Sequence, residues 1–230
     1  MKSEKITKPK STPAKRWYDD ACATALALEL LGERWSLLIV RELMFGPRRF
    51  GDLRASLSGV SANVLSQRLA GLEASSILVR RKLAPPANVH VYELTPWGYE
   101  LEPAIQALGA WALRSPQHDP TLPFSSASLM LSFRTKIDRT RSGDHPMTAG
   151  FRLGPEHFVA DVDASGIAIR REPATAPDFH IAADPTTIAS VVYGGRPLAH
   201  AESTAELVLT GDRALAEHFV TLFPLPPKIA

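Results

Sequence analysis

Asn63, Ser66 and Gln67 lie close together in the sequence, with Ser61 and Ala62 before them and Arg68 after. Carboxamides of this kind pair with the major-groove edge of adenine, and an arginine pairs with guanine. Two further basic groups flank them: Arg48 and Arg49 upstream, and Arg80, Arg81, Lys82 and His90 downstream. Such side chains suit phosphate or minor-groove contact, which positions a protein on a duplex without reading its sequence. A merely solvated helix face carries the same residue types, so composition alone leaves both readings open.

Other chemistries find less support. The histidines are His90, His118, His145, His157, His180, His200 and His218, and no pair has metal-ligand spacing with a cysteine or carboxylate cluster. Asp161 and Asp163 alternate along one strand face, a pattern more typical of solvated carboxylates than of an acid–base pair. Gly194-Gly195 lacks the glycine or Lys-Ser/Thr that gives a phosphate loop its meaning. The serine of a Gly-x-Ser-x-Gly elbow is also missing from the sequence. Neither an enzyme nor a cofactor or metal site is expected.

The elements that must position the polar residues follow from apolar spacing. Residues 19–45 read as two helical stripes separated at Gly32, the second stopping at Gly46-Pro47. A short helix is expected at 51–56 and a turn at Gly59. Ser61 then caps a helix running to about Ser75, with Leu65, Leu69 and Leu72 on its inner face. Strands at 77–83 and 89–94 flank Pro85-Pro86-Ala87-Asn88, a hairpin with a stiff tip. Thr95-Pro96 opens a further helix, which Pro103 should kink.

Past a polar, proline-containing stretch at 116–123 the pattern changes. Strands are expected at 129–133, 150–153, 157–162, 166–170, 179–182 and 207–210. Asp184-Pro185 and Asp212 cap two helices, the latter reaching about Phe223. The expected division is a disordered basic arm at 1–16, a domain at 17–115, a linker at 116–123 and a second domain at 124–230.

Composition supports a folded chain, because 45% hydrophobic against 22% charged residues excludes whole-chain disorder. A single cysteine, Cys22, rules out an intrachain disulfide. The first residues lack a signal-peptide core, and no run approaches a membrane span, so a soluble, cytoplasmic protein without membrane contact is expected. Residues 1–115 hold 16 Lys and Arg against 11 Asp and Glu, a net of +5, while residues 116–230 carry a net of −3. A basic half facing a polyanion fits that asymmetry. Six of the sixteen bases lie in the arm, however, so the case rests on where the arginines fall.

Helix, short helix, tight turn, polar-faced helix and basic hairpin form the layout of a winged helix-turn-helix. Cys22, Gly32-Glu33-Arg34-Trp35, Leu38-Ile39, Arg41-Glu42-Leu43, Gly46-Pro47-Arg48-Arg49-Phe50, Leu53, Val60-Ser61, Leu65-Ser66-Gln67-Arg68-Leu69, Leu72-Glu73, Tyr92-Glu93-Leu94-Thr95 and Gly98 stand in order. Over about residues 18–113 the chain thereby resembles the HxlR family of bacterial winged-helix transcriptional regulators, related to MarR-type proteins. The resemblance implies a homodimer on double-stranded DNA, with contacts from helices near 20–31 and 96–113. Leu108 and Trp111 are candidate interface residues, and equally candidate core. It also implies a thiol-switch role for Cys22, which a helix N-terminus would favour and Asp19 and Asp20 would oppose. Ala23 stands where the family often has proline, and a packing cysteine is the rival reading.

Asp184-Pro185-Thr186-Thr187, Gly194-Gly195-Arg196-Pro197, residues 205–212 and Phe219 are similar to the sterol-carrier-protein fold, an α/β layer that usually encloses an apolar tunnel. Phe133, Phe158, Ile188, Val192, Phe219 and Phe223 are the expected lining for an apolar or amphipathic small-molecule effector, unless they are simple core. The fold class expected is therefore α+β, a winged helix-turn-helix domain followed by a sterol-carrier-like α/β domain. The function expected is a ligand-modulated, dimeric DNA-binding regulator, a repressor. The alternatives are a lipid- or metabolite-binding protein whose first module only dimerises, and a Cys22-based redox or electrophile sensor.

Overall fold

Three helices and a turn lead into the polar helix. In the computed structural model, which describes residues 18–143 and 146–229, α1 spans Ala23–Leu31, α2 Ser36–Leu43, α3 Phe50–Ser56 and α4 Ala62–Ala74. The basic arm at 1–16 and His145 lie outside the described residues. Ser61 Oγ accepts the Val64 amide at 3.2 Å, satisfying one of the donors that a helix start leaves over. Gly59 adopts φ +87° in the turn between α3 and α4, a left-handed conformation that a Cβ disfavours.

The hairpin pairs β1, Leu78–Lys82, with β2, His90–Leu94, in an antiparallel register that sets Arg80 against Tyr92 and Lys82 against His90. Arg48 forms an isolated bridge with Tyr92, fastening the start of α3 to the hairpin. After β2 come α5, Pro96–Tyr99, and α6, Glu102–Leu113. The expected kink takes the form of a break before Glu102. Pro103 sits in the first turn of α6, where a missing N–H removes no hydrogen bond. Gly98 packs so closely that a Cβ there would lie 2.1 Å from the Ile77 carbonyl oxygen, so even alanine would force the hairpin away.

Residues 114–125 carry no regular helix or strand. Beyond them lie α7, Ser126–Lys136, α8, Arg139–Ser142, β3, Met147–Leu153, β4, Glu156–Asp163, β5, Gly166–Arg170, and β6, Phe179–Ala183. They are followed by α9, Pro185–Val192, α10, Leu198–Ser203, β7, Leu207–Gly211, and α11, Arg213–Phe219. The sheet order is β5-β4-β3-β6-β7, with β3 and β6 parallel and every other pair antiparallel. Asp184 and Asp212 cap α9 and α11, accepting the Thr186 and Leu215 amides at 2.8 and 3.0 Å.

One expected strand is a helix. Residues 129–133 fall inside α7, capped by Ser125, with Ser126, Ala127 and every residue from Leu129 to Phe133 buried. A helix enclosed on all sides loses its amphipathic period and mimics a buried strand.

The space expected to form a cavity is filled. Phe133 stacks on Phe223 with ring centroids 4.5 Å apart and meets Phe219 edge-on at 5.5 Å. Phe219 in turn contacts Phe151 and Phe179 at 5.6 Å. Phe158 meets Phe45 edge-on at 5.7 Å, Ile188 is buried, and Val192 packs half-buried on the same core. These six residues are interior packing rather than the walls of a tunnel, because aromatic rings at such spacing leave no room between them. The buried side chains of the two halves form one continuous cluster, with α7 packed against both α2 and α6.

Candidate nucleic-acid interface

The period of α4 sorts its side chains. Leu65, Leu69 and Leu72 are buried, Ala62 and Val64 are half-buried, and Asn63, Ser66 and Gln67 are exposed beside the capping Ser61. The outer face therefore presents two carboxamides and two hydroxyls on a rigid element. Arg68 is half-buried and already engaged: its Nε donates to the Arg34 carbonyl at 3.1 Å, and a terminal nitrogen pairs with Glu33 at 2.6 Å. It ties α4 to the turn before α2.

The two arginines before α3 differ. Arg49 is exposed, its amide donating to Asp52 at the helix start. Arg48 is only 8% exposed, which corrects its expected place at the phosphates. Its Nη1 lies 3.0 Å from Glu156 and 3.5 Å from Glu42, in ion-pair range but without an aligned hydrogen bond to either. A guanidinium held between two carboxylates beneath the surface cannot also reach a duplex.

On the hairpin, Arg80, Arg81, Lys82 and His90 are all exposed. Arg80, Lys82 and His90 share one face by the strand period, and Arg81 takes the other, where Glu93 binds it. The Arg80 amide donates to Glu73 of α4 at 3.1 Å, which fixes hairpin and helix relative to each other.

Cys22 is exposed at the N-cap of α1. Hydrogen bonding from the Thr24 amide, then from its hydroxyl and the Ala25 amide, pulls the thiol pKa below its ordinary value. The backbone contribution is that of free amides at a helix start stabilising a thiolate. Helix α6 has no buried residue, although Leu108 and Trp111 are among its side chains and Trp111 is 76% exposed. On α1, Leu26 and Leu28 are likewise exposed.

A cluster absent from the expectations lies behind α3. Glu42 is fully buried at the end of α2; its Oε1 accepts from Arg41 at 2.8 Å and from the Ser125 hydroxyl at 2.7 Å. Arg171, just past β5, donates to the carbonyls of Glu42 and Phe45 at 3.3 Å and reaches that of Gly46 at 3.5 Å. It thereby satisfies carbonyls that the end of α2 leaves over, a favourable place for a cation. Burial, and then the charge of Arg48, hold the Arg171 pKa below that of a free guanidinium. Glu156 sits 3.2 Å from Arg171, and Arg134 pairs with Glu102 at 2.8 Å with its guanidinium 4.4 Å from the Phe45 ring centroid. The unit bearing the sheet thus grips the end of α2 and the segment leading into α3. Only Glu42, the one charged residue among the buried positions of α2, hinted at this from sequence.

Residues 30–119 match the model of the HxlR-like helix-turn-helix family. The HTH-type transcriptional regulator YodB of Bacillus subtilis is 37% identical over 86 residues, covering 37% of this chain and 77% of YodB. The chain belongs to the HxlR-like helix-turn-helix family. An uncharacterized HTH-type transcriptional regulator of Mycobacterium tuberculosis is 45% identical over 85 residues, 37% of this chain and 53% of the relative. The chain thus spans about half the length of that relative. A solved structure of YodB in its reduced form shares 34% identity and covers 43% of this chain and 98% of its own, with a TM-score of 0.39. The HxlR-like match ends at residue 119, ahead of α7 and the five-stranded sheet. Among the described residues no helix is long and apolar enough to cross a membrane.

Proposed function

We propose that this chain is a sequence-specific DNA-binding regulator, a repressor that acts as a homodimer and answers to an apolar or amphipathic small molecule. The observation that carries the reading is the division of α4, with three leucines inward and Asn63, Ser66 and Gln67 outward on a helix braced by Arg68 and the hairpin. Membership of a family whose matched relatives are named transcriptional regulators supports it. In the duplex complex Asn63 and Gln67 would read adenine edges, while Arg49, Arg80 and Lys82 would hold phosphates.

The homodimer reading rests on α1 and α6. Leu26, Leu28, Leu108 and Trp111 are large, apolar and exposed, and a two-fold pairing of such helices would bury them against themselves. Two recognition helices would then meet two half-sites, multiplying specificity. Substituting Gln67 by alanine tests base reading. Specific affinity should fall by about 1–3 kcal/mol, with non-specific affinity nearly unchanged. Equal losses on both, measured by fluorescence anisotropy, would remove that role.

A second reading has its own observation: the exposed Cys22 thiol with a lowered pKa favours a regulator whose DNA affinity responds to electrophiles or oxidants. The alternative of a lipid carrier with a merely dimerising first module is weakened by the filled interior of the second unit.

A further inference from the structure

We infer that a cleft where α6, α7 and the segment 224–226 meet binds a small apolar carboxylate, with Lys136 as its charge partner. The inference rests on the reading of a small-molecule-responsive regulator and gives that molecule a site and a chemical class. The cleft holds about 300 Å³, at the lower end for small-molecule sites. Ala110 and Leu113 form one wall, the segment Pro224-Leu225-Pro226 another, and Thr135 and Lys136 at the end of α7 a third. The proline segment is held in place just beyond it, where Lys228 Nζ donates to the Ser115 carbonyl at 3.0 Å and the Ile229 amide to that of Arg114 at 2.8 Å.

Its chemistry selects the ligand. Lys136 lies 5.0 Å from the Tyr193 ring centroid, and among the described residues no carboxylate forms an ion pair with it. Burial lowers its pKa to about 8, so it remains mostly charged at neutral pH and poorly compensated. The neighbouring basic groups are Lys228 and His118, with Asp119 beside His118 and engaged by Thr121. One half-buried ammonium beside a cleft of alanine, leucine, proline and threonine side chains fits a single carboxylate on an apolar body. A phosphate would call for several donors or an arginine fork. Because the cleft is shared by a helix of each unit, a ligand there that binds one disposition of α6 more tightly would shift the regulator between states.

The test uses the full chain titrated calorimetrically with octanoate, 1-octanol and octylamine, which share an apolar tail and differ in head group. Octanoate should bind about ten- to a hundredfold more tightly than octanol, the contribution of a charge-assisted hydrogen bond, and octylamine more weakly than either. Lys136→Met keeps most of the stem and should bring octanoate and octanol level. Ala110→Phe, on an exposed helix position, should weaken both by filling the cleft while leaving the circular dichroism spectrum unchanged. Equal wild-type affinity for octanoate and octanol, a preference that survives Lys136→Met, or no saturable octanoate binding would overturn the assignment. DNA affinity of the ligand-free protein, measured alongside, separates the two readings. Intact DNA binding without octanoate binding removes only the cleft, whereas octanoate binding without DNA binding removes the regulator.

Discussion

Replacing Glu42 by alanine should lower the melting temperature of both units together. The carboxylate has no exposure, accepts from Arg41 and the Ser125 hydroxyl, and lies 3.5 Å from Arg48. Its loss leaves Arg48, itself 8% exposed, with Glu156 as the remaining anion. Removing one member of a buried ion pair typically costs about 3–5 kcal/mol. Glu156 at 3.0 Å compensates part of this, so about 2–3 kcal/mol is expected. In a chain of this length each kcal/mol moves the midpoint by about 2–4 °C, which gives a fall of roughly 4–12 °C. The double substitution Glu42→Met with Arg48→Met should recover most of it, since a packed apolar pair needs no compensating charge. All four tryptophans precede residue 112, so their fluorescence reports on the first unit while far-ultraviolet circular dichroism reports on both. The two signals should shift in parallel. A fall of under about 1 °C, or a shift of the fluorescence midpoint alone, would refute the role of Glu42 as a tie between units.

Three further outcomes can be checked separately. Arg49→Ala should weaken DNA binding on every sequence and reduce the salt slope by about one, with stability unchanged. Trp111→Asp should convert the proposed dimer to monomer in sedimentation velocity, because a charge would enter the centre of an apolar pairing at a cost of about 2 kcal/mol or more; an unchanged sedimentation coefficient would contradict an interface at Trp111. Cys22→Ser should abolish any change of DNA affinity on treatment with quinone or peroxide, and a retained response would end the thiol-sensor reading.

Local signals carried the sequence reading where local physics sets the structure. Ser61, Thr95, Asp184 and Asp212 each cap the helix expected of them, and each bond spans only two or three residues. The hairpin is set by alternating residues and a proline tip, equally local. The failures are all nonlocal. Leu129–Phe133 reads as a strand because neighbours distant in sequence bury α7 on every side. Arg48 reads as a surface base because its partner Glu156 and the flanking Arg171 come from the second unit. Phe133, Phe219 and Phe223 have the residue types of a cavity wall, and only their mutual distances show that they fill the space instead. Asn63, Ser66 and Gln67 were legible as an outer face because the leucines opposite them fix the phase of the helix.

A salt titration of the full chain on duplex DNA from upstream of its own gene tests the proposed function most directly. Log affinity should fall linearly and steeply with log salt concentration, and only the same sequence should compete at low excess. Weak binding that is uniform across sequences would contradict a base-reading α4 and leave the first unit as a dimerisation module.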